Sequence, residues 1–423
     1  MDNKNFLLPE TVQKEDVVVA TYYIELPPET DIVQKAVSLA VGQTIGTWVP
    51  IPGITEEIRD KYMGKVVNIF DVPPMELDGS CPDKMGYLIQ IAYPTVNFGS
   101  DFPLMITSLL GNDASTSAQV KLMDIQFSEA FLKRFQGPRF GIEGVQKLFG
   151  VKERPLLLNM IKPCTGLTPE EGAGIFYQSA LGGVDLIKDD ELFGNPVYSR
   201  PEERVKAYKE AAAKAAEITG KTVKYFVNIT GGISELKESI EKVEAAGADG
   251  LMVNFSVLGY SALKYIAANT RLPILGHSAG AGMFCEGSLS GLATPLAVGK
   301  LARIAGADIV MLNTPYGGYP LRRQKYLQIL QQLTLPLGEI RPTMPSIGGG
   351  VHPGIVKRYI REAGRNIVLA AGGSIQGHPM GTAAGARAMQ QAIDIAVQDT
   401  DFCKAAEAYP ELQASLAKWG YVE

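Results

Sequence analysis

The chain has 423 residues, of which 46% are hydrophobic, 8% aromatic and 20% charged. This composition can build hydrophobic cores, and it excludes a disordered chain, a collagen and a disulfide scaffold. The length exceeds that of one ordinary domain, so we expect one large unit and one smaller unit. The 40 basic and 45 acidic side chains give a net charge of −5 without a long basic run, which argues against nucleic acid as a partner.

The sequence carries no signal for a membrane or for export. No apolar run approaches the ~18 residues of a spanning helix, and the start of the chain lacks the basic segment and apolar core of a signal peptide. The four cysteines are scattered without metal-ligand or redox spacing, and we interpret them as reduced thiols. We therefore expect a cytoplasmic protein without a membrane partner.

Residues 1–135 alternate strand-like and helix-like stretches in the order β-α-β-β-α-β. The strand-like segments are VVVATYYIEL, KVVNIFDV, MGYLIQIAYP and VKLMDIQF, and the helix-like segments are VQKAVSLAVGQT and DFPLMITSLLG. This order predicts a ferredoxin-like α+β domain. A stretch with Gly and Pro over 134–155 then crosses to a second unit, which we place at 136–423.

Short apolar runs recur through the second unit at a mean spacing of roughly 30 residues, each followed by a helical segment. The pattern predicts an α/β fold with a C-terminal (β/α)₈ barrel, and the alternative is a doubly wound open sheet. No sequence repeat is recognised with this spacing, and the chain after about residue 384 is predicted to be helical. The eight runs begin near Leu156, Val184, Val223, Gly250, Leu272, Ile309, Arg341 and Ile367.

Chemistry in such barrels gathers where the strands end, because the following loops converge on one mouth. Strand two ends in Lys188, Asp189, Asp190 and Glu191. Alternation places Lys188 and Asp190 on one side, and Glu191 can join them where the strand gives way to loop. Two converging carboxylates suit Mg²⁺, whereas the alternative is a solvated charge run. A lysine beside a cation is electrostatically unfavourable unless it is modified or displaced.

Other strand ends carry further polar residues. Lys162 follows strand one, and near a cation its ammonium form would be disfavoured, which suits proton transfer near neutral pH; the alternative is a surface lysine. His277 ends strand five, where we favour a functional role over a structural one. Asn228, Thr230 and Asn254 end strands three and four, and we interpret them as structural rather than as groups that orient a sugar.

Glycine-rich loops follow strands seven and eight, at Gly348–Gly350 and Gly372–Ser374. Backbone N–H groups of such loops bind phosphate in many barrels, and glycine lets the backbone approach the oxygens. Each loop alone could be a simple turn. The two together predict a substrate that carries a phosphate monoester.

These motifs resemble, in the same order, those of the large subunit of ribulose-bisphosphate carboxylase (RuBisCO). GGVDLIKDDE (182–191) looks like the metal-site signature of that family, and IKPCTGL (161–167) looks like its strand-one lysine motif. The resemblance covers nearly the whole chain. The other matching segments are GTW (46–48), GN (111–112), GGGVHPG (348–354) and AGGSIQGHPMG (371–381).

The resemblance implies a metal centre built on a modified lysine. In that family the strand-two lysine is carbamylated by CO₂, so Lys188 would become an anionic ligand of one Mg²⁺ per subunit, together with Asp190 and Glu191. Lys162 would correspond to the lysine that handles protons of the enediolate. His277 would correspond to a histidine beside the reacting carbons.

The resemblance also implies a phosphate site and a homodimer. Dimers of the family build each site from the barrel of one chain and the N-terminal domain of the other. Thr47, Trp48 and Asn112 would then act across an interface. The residues expected at one phosphate of a small substrate are Thr47, Trp48, Gly349, Gly350, Gly372 and Gly373.

Several positions depart from the carboxylase pattern. Ser278 and Ala281 stand where the carboxylase has an arginine and a histidine for a second phosphate, and Met311 stands near another expected histidine. The loop TPYGGYP (314–320) lacks the mobile lysine that closes over CO₂, and Cys164 replaces a lysine. Without these groups, carboxylation of a bisphosphate is not expected. The chain resembles a RuBisCO-like protein acting on a monophosphate.

Three reactions are open to such a protein. The nearest chain-wide resemblance is to 2,3-diketo-5-methylthiopentyl-1-phosphate enolases of methionine salvage, but Asn112 stands where they carry a lysine, and an amide cannot act as a base. This favours decarboxylation of 3-oxo-isoapionate 4-phosphate in apiose catabolism, in which Lys162 would supply a proton. The enolase is the alternative, and sugar-phosphate isomerisation is third. Retention of Lys162, Lys188, Asp190 and Glu191 together disfavours a non-enzymatic regulatory barrel.

Overall fold

The computed structural model describes residues 3–46, 51–76 and 83–422. The chain forms two compact units. The first unit extends to Phe135 and also includes Gly280–Ala297 and Gly338–Ile340, and the second comprises Gln136–Ala279, Val298–Leu337 and the chain from Arg341 onward. The sequence pattern did not indicate that two later segments fold with the first unit.

The described residues form thirteen strands and nineteen α-helices. The strands are β1 (Val17–Leu26), β2 (Lys65–Val72), β3 (Met85–Pro94), β4 (Lys121–Phe127), β5 (Leu156–Met160), β6 (Leu186–Lys188), β7 (Lys224–Asn228), β8 (Gly250–Asn254), β9 (Ile274–His277), β10 (Gly291–Leu292), β11 (Ile309–Leu312), β12 (Met344–Ile347) and β13 (Val368–Ala371). The helices are α1 (Pro9–Val12), α2 (Ile32–Gly42), α3 (Glu56–Tyr62), α4 (Phe102–Leu110), α5 (Glu129–Leu132), α6 (Gly141–Phe149), α7 (Pro169–Leu181), α8 (Pro201–Thr219), α9 (Leu236–Ala245), α10 (Phe255–Leu258), α11 (Tyr260–Asn269), α12 (Gly282–Cys285), α13 (Ala302–Ala305), α14 (Arg323–Thr334), α15 (Val356–Ala363), α16 (Gly373–Gln376), α17 (Thr382–Gln398), α18 (Phe402–Ala406) and α19 (Pro410–Trp419).

The first unit is built on a five-stranded sheet in the order β10-β4-β1-β3-β2. Strand β1 pairs antiparallel with β3 and β4, β2 pairs antiparallel with β3, and the two-residue β10 adds in parallel to β4. The order 4-1-3-2 of the first four strands is that of a ferredoxin-like sheet, which confirms the predicted fold class of this unit. Between β1 and β2 the described residues form two helices, α2 and α3, where the sequence pattern predicted one.

A buried tyrosine on β1 fixes the end of α4. The hydroxyl of Tyr22 lies 2.8 Å from the backbone oxygen of Leu109 and 2.9 Å from the hydroxyl of Tyr93. A buried hydroxyl needs such partners, because leaving it without a hydrogen bond is costly. These bonds tie the last turn of α4, and therefore the adjoining Gly111 and Asn112, to the sheet.

The second unit contains a closed barrel of eight parallel strands in the order β11-β12-β13-β5-β6-β7-β8-β9. All eight predicted apolar runs form its strands. Pairing of β13 with β5 closes the barrel, so the open-sheet alternative is wrong. The interior is packed with side chains and is not a channel, so functional groups lie at the strand ends. Its buried core includes Leu158, Leu186, Phe226, Met252, Leu275, Ile309, Met311, Met344 and Val368, with Ile142 and Val145 of α6.

Three aspartates repeat at the start of alternate barrel strands. Asp185, Asp249 and Asp308 immediately precede β6, β8 and β11 in the similar segments LGGVDL, AAGADG and IAGADI. Each carboxylate accepts the backbone N–H of a residue in the preceding barrel strand. The distances are 2.7 Å from Leu157 N, 3.0 Å from Tyr225 N and 2.9 Å from Ile274 N. A local sequence repeat therefore accompanies three of the barrel strands, and the expectation of no repeat is wrong at these positions.

Within the described ranges, no helix combines the length and the apolar character needed to cross a membrane.

Candidate active site

The lysine at the end of β6 is buried beside carboxylates. The side chain of Lys188 is 0% exposed, and its Nζ donates a hydrogen bond to the backbone oxygen of Asp189 at 2.9 Å. Burial lowers the pKa of its ammonium group, although Glu191, Asp190 and Asp189 act in the opposite direction. The chain therefore holds an amine with a weakened preference for the charged form next to two candidate metal ligands.

Asp189 faces away from this group and is fixed in a buried network. Its carboxylate accepts hydrogen bonds from Tyr225 OH at 2.6 Å, from Arg204 Nη2 at 3.0 Å and from Asn228 N at 2.9 Å. Arg204 lies on α8 and is completely buried. Burial opposes its charge, but Asp189 outweighs burial and raises the pKa of the guanidinium. Asp189 thus anchors the end of β6 and leaves Asp190 and Glu191 to the mouth of the barrel.

Two amides hold the backbone of the carboxylate pair. Asn228 Nδ2 lies 3.1 Å from Asp190 O and 3.3 Å from Glu191 O, and Asn254 Nδ2 donates to Glu191 O at 2.8 Å. These bonds join the ends of β7 and β8 to the segment that follows β6. The sequence predicts a structural role for both asparagines, and these hydrogen bonds to the backbone of Asp190 and Glu191 are that role. The sequence feature that indicates this role is a pair of asparagines at the ends of neighbouring strands.

Lys162 reaches the same carboxylate pair from the end of β5. Its Nζ lies 2.5 Å from Asp190 Oδ2 and 3.0 Å from Cys164 Sγ. Its backbone N–H donates to Gln376 Oε1 at 3.0 Å, which fixes the start of the loop. Burial opposes the charge, but hydrogen bonding to Asp190 and then to Cys164 outweighs it and raises the pKa of Lys162. The expectation of a disfavoured ammonium form applies to a site that holds a neighbouring cation, and it stays a prediction.

His277 completes the group as a neutral imidazole. Its Nδ1 accepts the backbone N–H of Ala279 at 3.1 Å, so the proton of the neutral ring is on Nε2. Nε2 lies 3.7 Å from Glu191 Oε2. Burial, assisted by the charge of Lys188, lowers the pKa of His277 to about 3. The ring can therefore donate a hydrogen bond at neutral pH without carrying a charge.

The glycine loops after β12 and β13 offer backbone donors. Gly349 and Gly350 have φ angles of +83° and +108°, a region that favours glycine. In the described part of the chain, the N–H groups of Gly349, Gly350 and Gly372 have no hydrogen-bond acceptor. Gly373 begins α16. Such N–H groups can bind an anion.

The two glycine loops are joined to each other, and one of them lies beside Lys162. Ser374 Oγ donates to Val351 O at 2.6 Å, which links the loop after β13 to the loop after β12. A Cβ atom on Gly372 would lie 3.6 Å from Lys162 Cε. A ligand held by these loops would therefore be near the proton-transfer candidate.

The residues present fit a magnesium site only when Lys188 contributes to it. In the ranges that the structure describes, no group of three or more His, Cys, Asp or Glu side chains is arranged to hold a metal. Asp190 and Glu191 supply two carboxylates, and a carbamate on Lys188 would add a third anionic group next to them. Mg²⁺ accepts a small number of carboxylates and keeps water as its other ligands.

The remaining predicted residues lie elsewhere in the chain. Thr47 and Trp48 lie outside the described residues. Asn112 belongs to the first unit and follows α4, with an exposed side chain, whereas Lys162, Lys188 and the other barrel residues belong to the second unit. The structure therefore brings together the five polar barrel residues and joins the two glycine loops.

Neutral groups fill two positions that depart from the carboxylase pattern. Ser278 Oγ donates to Met311 O at 3.0 Å, and the Met311 side chain is buried in the barrel core. Neither group supplies a cation that could bind a second phosphate.

Known proteins resemble this chain along nearly its whole length. The profile for the ribulose bisphosphate carboxylase large chain, N-terminal domain, matches residues 5–131, and the profile for its catalytic domain matches 141–419. A ribulose bisphosphate carboxylase-like protein of Archaeoglobus fulgidus is 41% identical over 95% of this chain and 92% of that protein. A 2,3-diketo-5-methylthiopentyl-1-phosphate enolase of Geobacillus thermodenitrificans is 36% identical over 96% of this chain and 98% of that enzyme. The crystal structure of a rubisco-like protein, MtnW, from Alicyclobacillus acidocaldarius matches with a TM-score of 0.88 at 35% identity, over 96% of this chain and 100% of that one.

Proposed function

The chain belongs to the ribulose bisphosphate carboxylase large-chain family as a RuBisCO-like protein, and we propose that it is an enolase of a small phosphorylated diketone. The proposed substrate is 2,3-diketo-5-methylthiopentyl-1-phosphate, which is named for the relative from Geobacillus thermodenitrificans. The observation that carries the proposal is the position of Lys162 Nζ beside the carboxylate pair, 2.5 Å from Asp190 Oδ2, where release from that carboxylate would leave an amine that can exchange protons.

This proposal reverses the order in which the sequence favoured the two reactions, decarboxylation and enolisation. Similarity over 96% of the chain is to a named enolase, so the enolase precedes decarboxylation. Decarboxylation of 3-oxo-isoapionate 4-phosphate is the second candidate, because Asn112 lacks the basic group that the sequence resemblance assigns to enolases at that position. Both reactions pass through an enediolate, so one set of barrel residues can serve either.

We propose that Asp190, Glu191 and a carbamate on Lys188 hold one Mg²⁺. When bound, the ion would stabilise negative charge that develops on two substrate oxygens. The complete burial of Lys188 next to the two carboxylates supports this assignment. An oxygen of Asp190 that binds a cation would no longer be available as the close partner of Lys162.

Within that site, the chain's own residues move and direct protons. Lys162, once released from Asp190, would take the proton from the carbon beside the carbonyl, so that the C–H electron pair forms the C=C bond of an enolate, and would deliver the proton to the enolate oxygen. The Nε2–H of neutral His277 would donate a hydrogen bond to a substrate oxygen and would not add charge. Gln376 supports this arrangement, because it binds the backbone N–H of Lys162 and, at 2.8 Å, the backbone oxygen of Met160.

We propose that the two glycine loops bind the substrate phosphate. The N–H groups of Gly349, Gly350 and Gly372 have no acceptor in the described chain, which leaves them available to phosphate oxygens. Gly373 would contribute from the start of α16. Thr47 and Trp48 stay predicted members of this site.

We propose a homodimer that completes each site with Asn112, Thr47 and Trp48 of the other chain. Exposed apolar side chains follow three neighbouring barrel strands, and exposed groups of this kind favour a protein partner. They are Leu192 (68% exposed) and Val197 (81%) after β6, Ile233 (72%) after β7 and Val257 (56%) after β8. A cytoplasmic location stays a prediction.

The test is substrate turnover followed by ³¹P NMR in D₂O. Protein incubated with Mg²⁺ and bicarbonate is expected to convert the diketo phosphate and, through reversal of the proton transfer, to exchange the abstracted carbon-bound proton for deuterium. Lys162→Met is expected to lose roughly 10²- to 10⁴-fold of that activity, because it removes a proton-transfer group. Lys214→Met, which changes an exposed lysine on α8, is the matched control.

Each other outcome has a defined meaning. Release of CO₂ from the β-keto acid phosphate, with the diketo phosphate unchanged, would replace the enolase by the decarboxylase. Turnover of neither substrate and no metal-dependent deuterium exchange would contradict both.

A further inference from the structure

We propose that the loop 314–320 is a fixed support for the phosphate-binding glycine loop 348–350, and that Tyr316 and Gly317 are its positioning residues. We call 314–320 the brace loop. The proposal rests on the proposed function in one respect, because it takes the glycine loop as a phosphate site. It assigns the brace loop a role unlike that of a lid that opens and closes.

The base of the brace loop is closed by hydrogen bonds to a buried threonine. Thr314 is 1% exposed. Its backbone oxygen accepts the N–H of Leu321 at 3.0 Å, and its Oγ1 accepts the N–H of Tyr316 at 3.1 Å. The same Oγ1 lies 2.9 Å from the hydroxyl of Tyr359 on α15. These bonds fix both ends of the loop to each other and to one helix.

The side chain of Tyr316 attaches the brace loop to α15 a second time. Its hydroxyl donates to Glu362 Oε1 at 2.6 Å, a short bond to a charged acceptor of the kind that is stronger than a neutral bond. The guanidinium carbon of Arg358 lies 4.4 Å from the centre of its ring, within cation–π range. Arg323 Nε donates to the same carboxylate oxygen at 3.1 Å. A loop held by this number of polar contacts is not expected to move freely.

The tip of the brace loop rests on the glycine loop without room for a side chain. The N–H of Gly318 donates to Gly349 O at 3.2 Å. A Cβ atom on Gly317 would lie 1.6 Å from that same oxygen, and a Cβ atom on Gly350 would lie 3.0 Å from Gly317 Cα. Position 317 therefore tolerates only glycine while Gly349 stays in place.

The contact with Gly349 O sets the direction of a phosphate donor. The C=O of Gly349 and the N–H of Gly350 belong to one planar trans peptide, so they point in opposite directions. Because the brace loop holds the oxygen, the N–H of Gly350 points away from the brace loop. Gly350 N–H is one of the groups without an acceptor in the described chain. A shift of the Gly349 oxygen would turn this donor away from a phosphate.

Two adjacent glycines provide a matched test. Neither Gly317 nor Gly318 has a left-handed φ, and a Cβ atom on Gly318 would meet nothing within 4 Å. Gly317→Ala is expected to weaken binding of inorganic phosphate about tenfold or more, because a misdirected charge-assisted donor is lost. Gly318→Ala keeps its N–H and is expected to stay within about twofold of wild type. Isothermal titration calorimetry with inorganic phosphate measures both without any turnover.

A second variant separates positioning from folding. Tyr316→Phe keeps the ring and removes only the hydroxyl that binds Glu362, so the thermal midpoint should change little. We expect phosphate affinity to fall by about three- to tenfold, and KM for the phosphorylated substrate to rise more than kcat falls. A loss of thermal stability without a change in phosphate affinity would indicate a purely structural role and overturn the proposal.

The outcomes also distinguish this proposal from the proposed reaction. Equal phosphate affinities for Gly317→Ala and Gly318→Ala would overturn the brace, whichever substrate is turned over. Wild-type protein that binds no inorganic phosphate would overturn it too. Failure of the enolase assay together with the predicted difference between the two alanine variants would reject only the proposed reaction.

Discussion

At the scale of single residues, Lys188 differs from the charged groups around it. Asp189 is paired with Arg204 and Asp190 with Lys162, whereas Glu191 lies 3.7 Å from the neutral ring of His277. Lys188 is fully buried, and its hydrogen bond is to a backbone oxygen. Burial disfavours the ammonium form of Lys188 although Glu191, Asp190 and Asp189 favour it, and an anionic derivative bound to a cation would relieve the cost of burial.

This asymmetry leads to a prediction for Lys188→Ala. The variant should lose activation by bicarbonate and should bind Mn²⁺, used as a paramagnetic substitute for Mg²⁺, at least about tenfold more weakly, because a proposed ligand is removed. Electron paramagnetic resonance of free Mn²⁺ measures the affinity without turnover. Lys206→Ala on α8, which changes an exposed lysine, should behave as wild type. Full activity and unchanged Mn²⁺ binding in Lys188→Ala would refute the carbamate.

The sequence identified residue types in the site better than their interactions. The segment Lys188–Glu191 stood out because a lysine beside converging carboxylates needs an explanation. Alternation along the strand predicts that Asp189 and Asp190 point to opposite sides. It does not predict the pairing of Asp189 with Arg204, fifteen positions later in the chain. The direction of the pKa shift of Lys162 also depends on one contact, with Asp190, which no spacing in the sequence specifies.

At the scale of elements, the barrel strands were predictable because each buried strand reads as a short apolar run followed by a helix. The later segments of the first unit were not predictable. Strand β10 has two residues, and it pairs with β4 more than 160 positions earlier in the chain. A strand that short carries no alternation, so only the tertiary pairing defines it.

Asp185 and Asp308, which immediately precede strands β6 and β11, allow a prediction about how stability depends on pH. Burial raises the pKa of Asp185, but Arg154 and Lys221 outweigh burial, and the result is a pKa below the ordinary value of 3.8. The contribution of Asp185 to the free energy of unfolding is present above pH 3.8, and it disappears as the pH falls through the lower pKa of the folded state. For Asp308, burial dominates over three backbone N–H bonds, and the pKa is raised. The contribution of Asp308 to the free energy of unfolding is full below pH 3.8, and it disappears as the pH rises through the higher pKa of the folded state.

Asp185→Asn and Asp308→Asn should therefore respond to acid in opposite ways. The stability difference between wild type and Asp185→Asn should shrink as the pH falls from 6 to about 3, while the difference for Asp308→Asn should grow. At pH 7, Asp185→Asn should cost about 1–3 kcal/mol, since both cationic partners are partly exposed. Urea unfolding followed by circular dichroism at several pH values measures both series. Parallel pH trends would contradict this assignment.

At the scale of the whole molecule, the length of the chain predicted more than one unit, and the structure has two compact units. The order of the motifs predicted a ferredoxin-like unit followed by a barrel, which are the two folds observed. What a single chain cannot specify is how its surface is completed by another copy. The exposed apolar groups Leu192, Val197, Ile233 and Val257 show this, because each follows a barrel strand and leaves apolar area in water. Their explanation belongs to the assembly, and we propose that it is the homodimer.

A shared site in a homodimer predicts recovery of activity from two inactive variants. Lys188→Ala removes a barrel group, and Asn112→Ala removes a group of the N-terminal unit. If each site combines the barrel of one chain with the N-terminal unit of the other, a mixed dimer contains one site with both groups intact and one site with neither. Half of the dimers formed by random exchange are mixed, so about a quarter of wild-type activity should return.

The measurement is enolase activity after the two variants are co-expressed with different tags, with each variant first shown to be inactive alone. The double variant Asn112→Ala/Lys188→Ala mixed with wild type is the matched control. Its mixed dimers keep two sites that each lack one group, so half of the dimers should lose both sites and activity should fall to about a quarter. If each chain formed a complete site alone, the two single variants would show no recovery, and the control would retain half of wild-type activity.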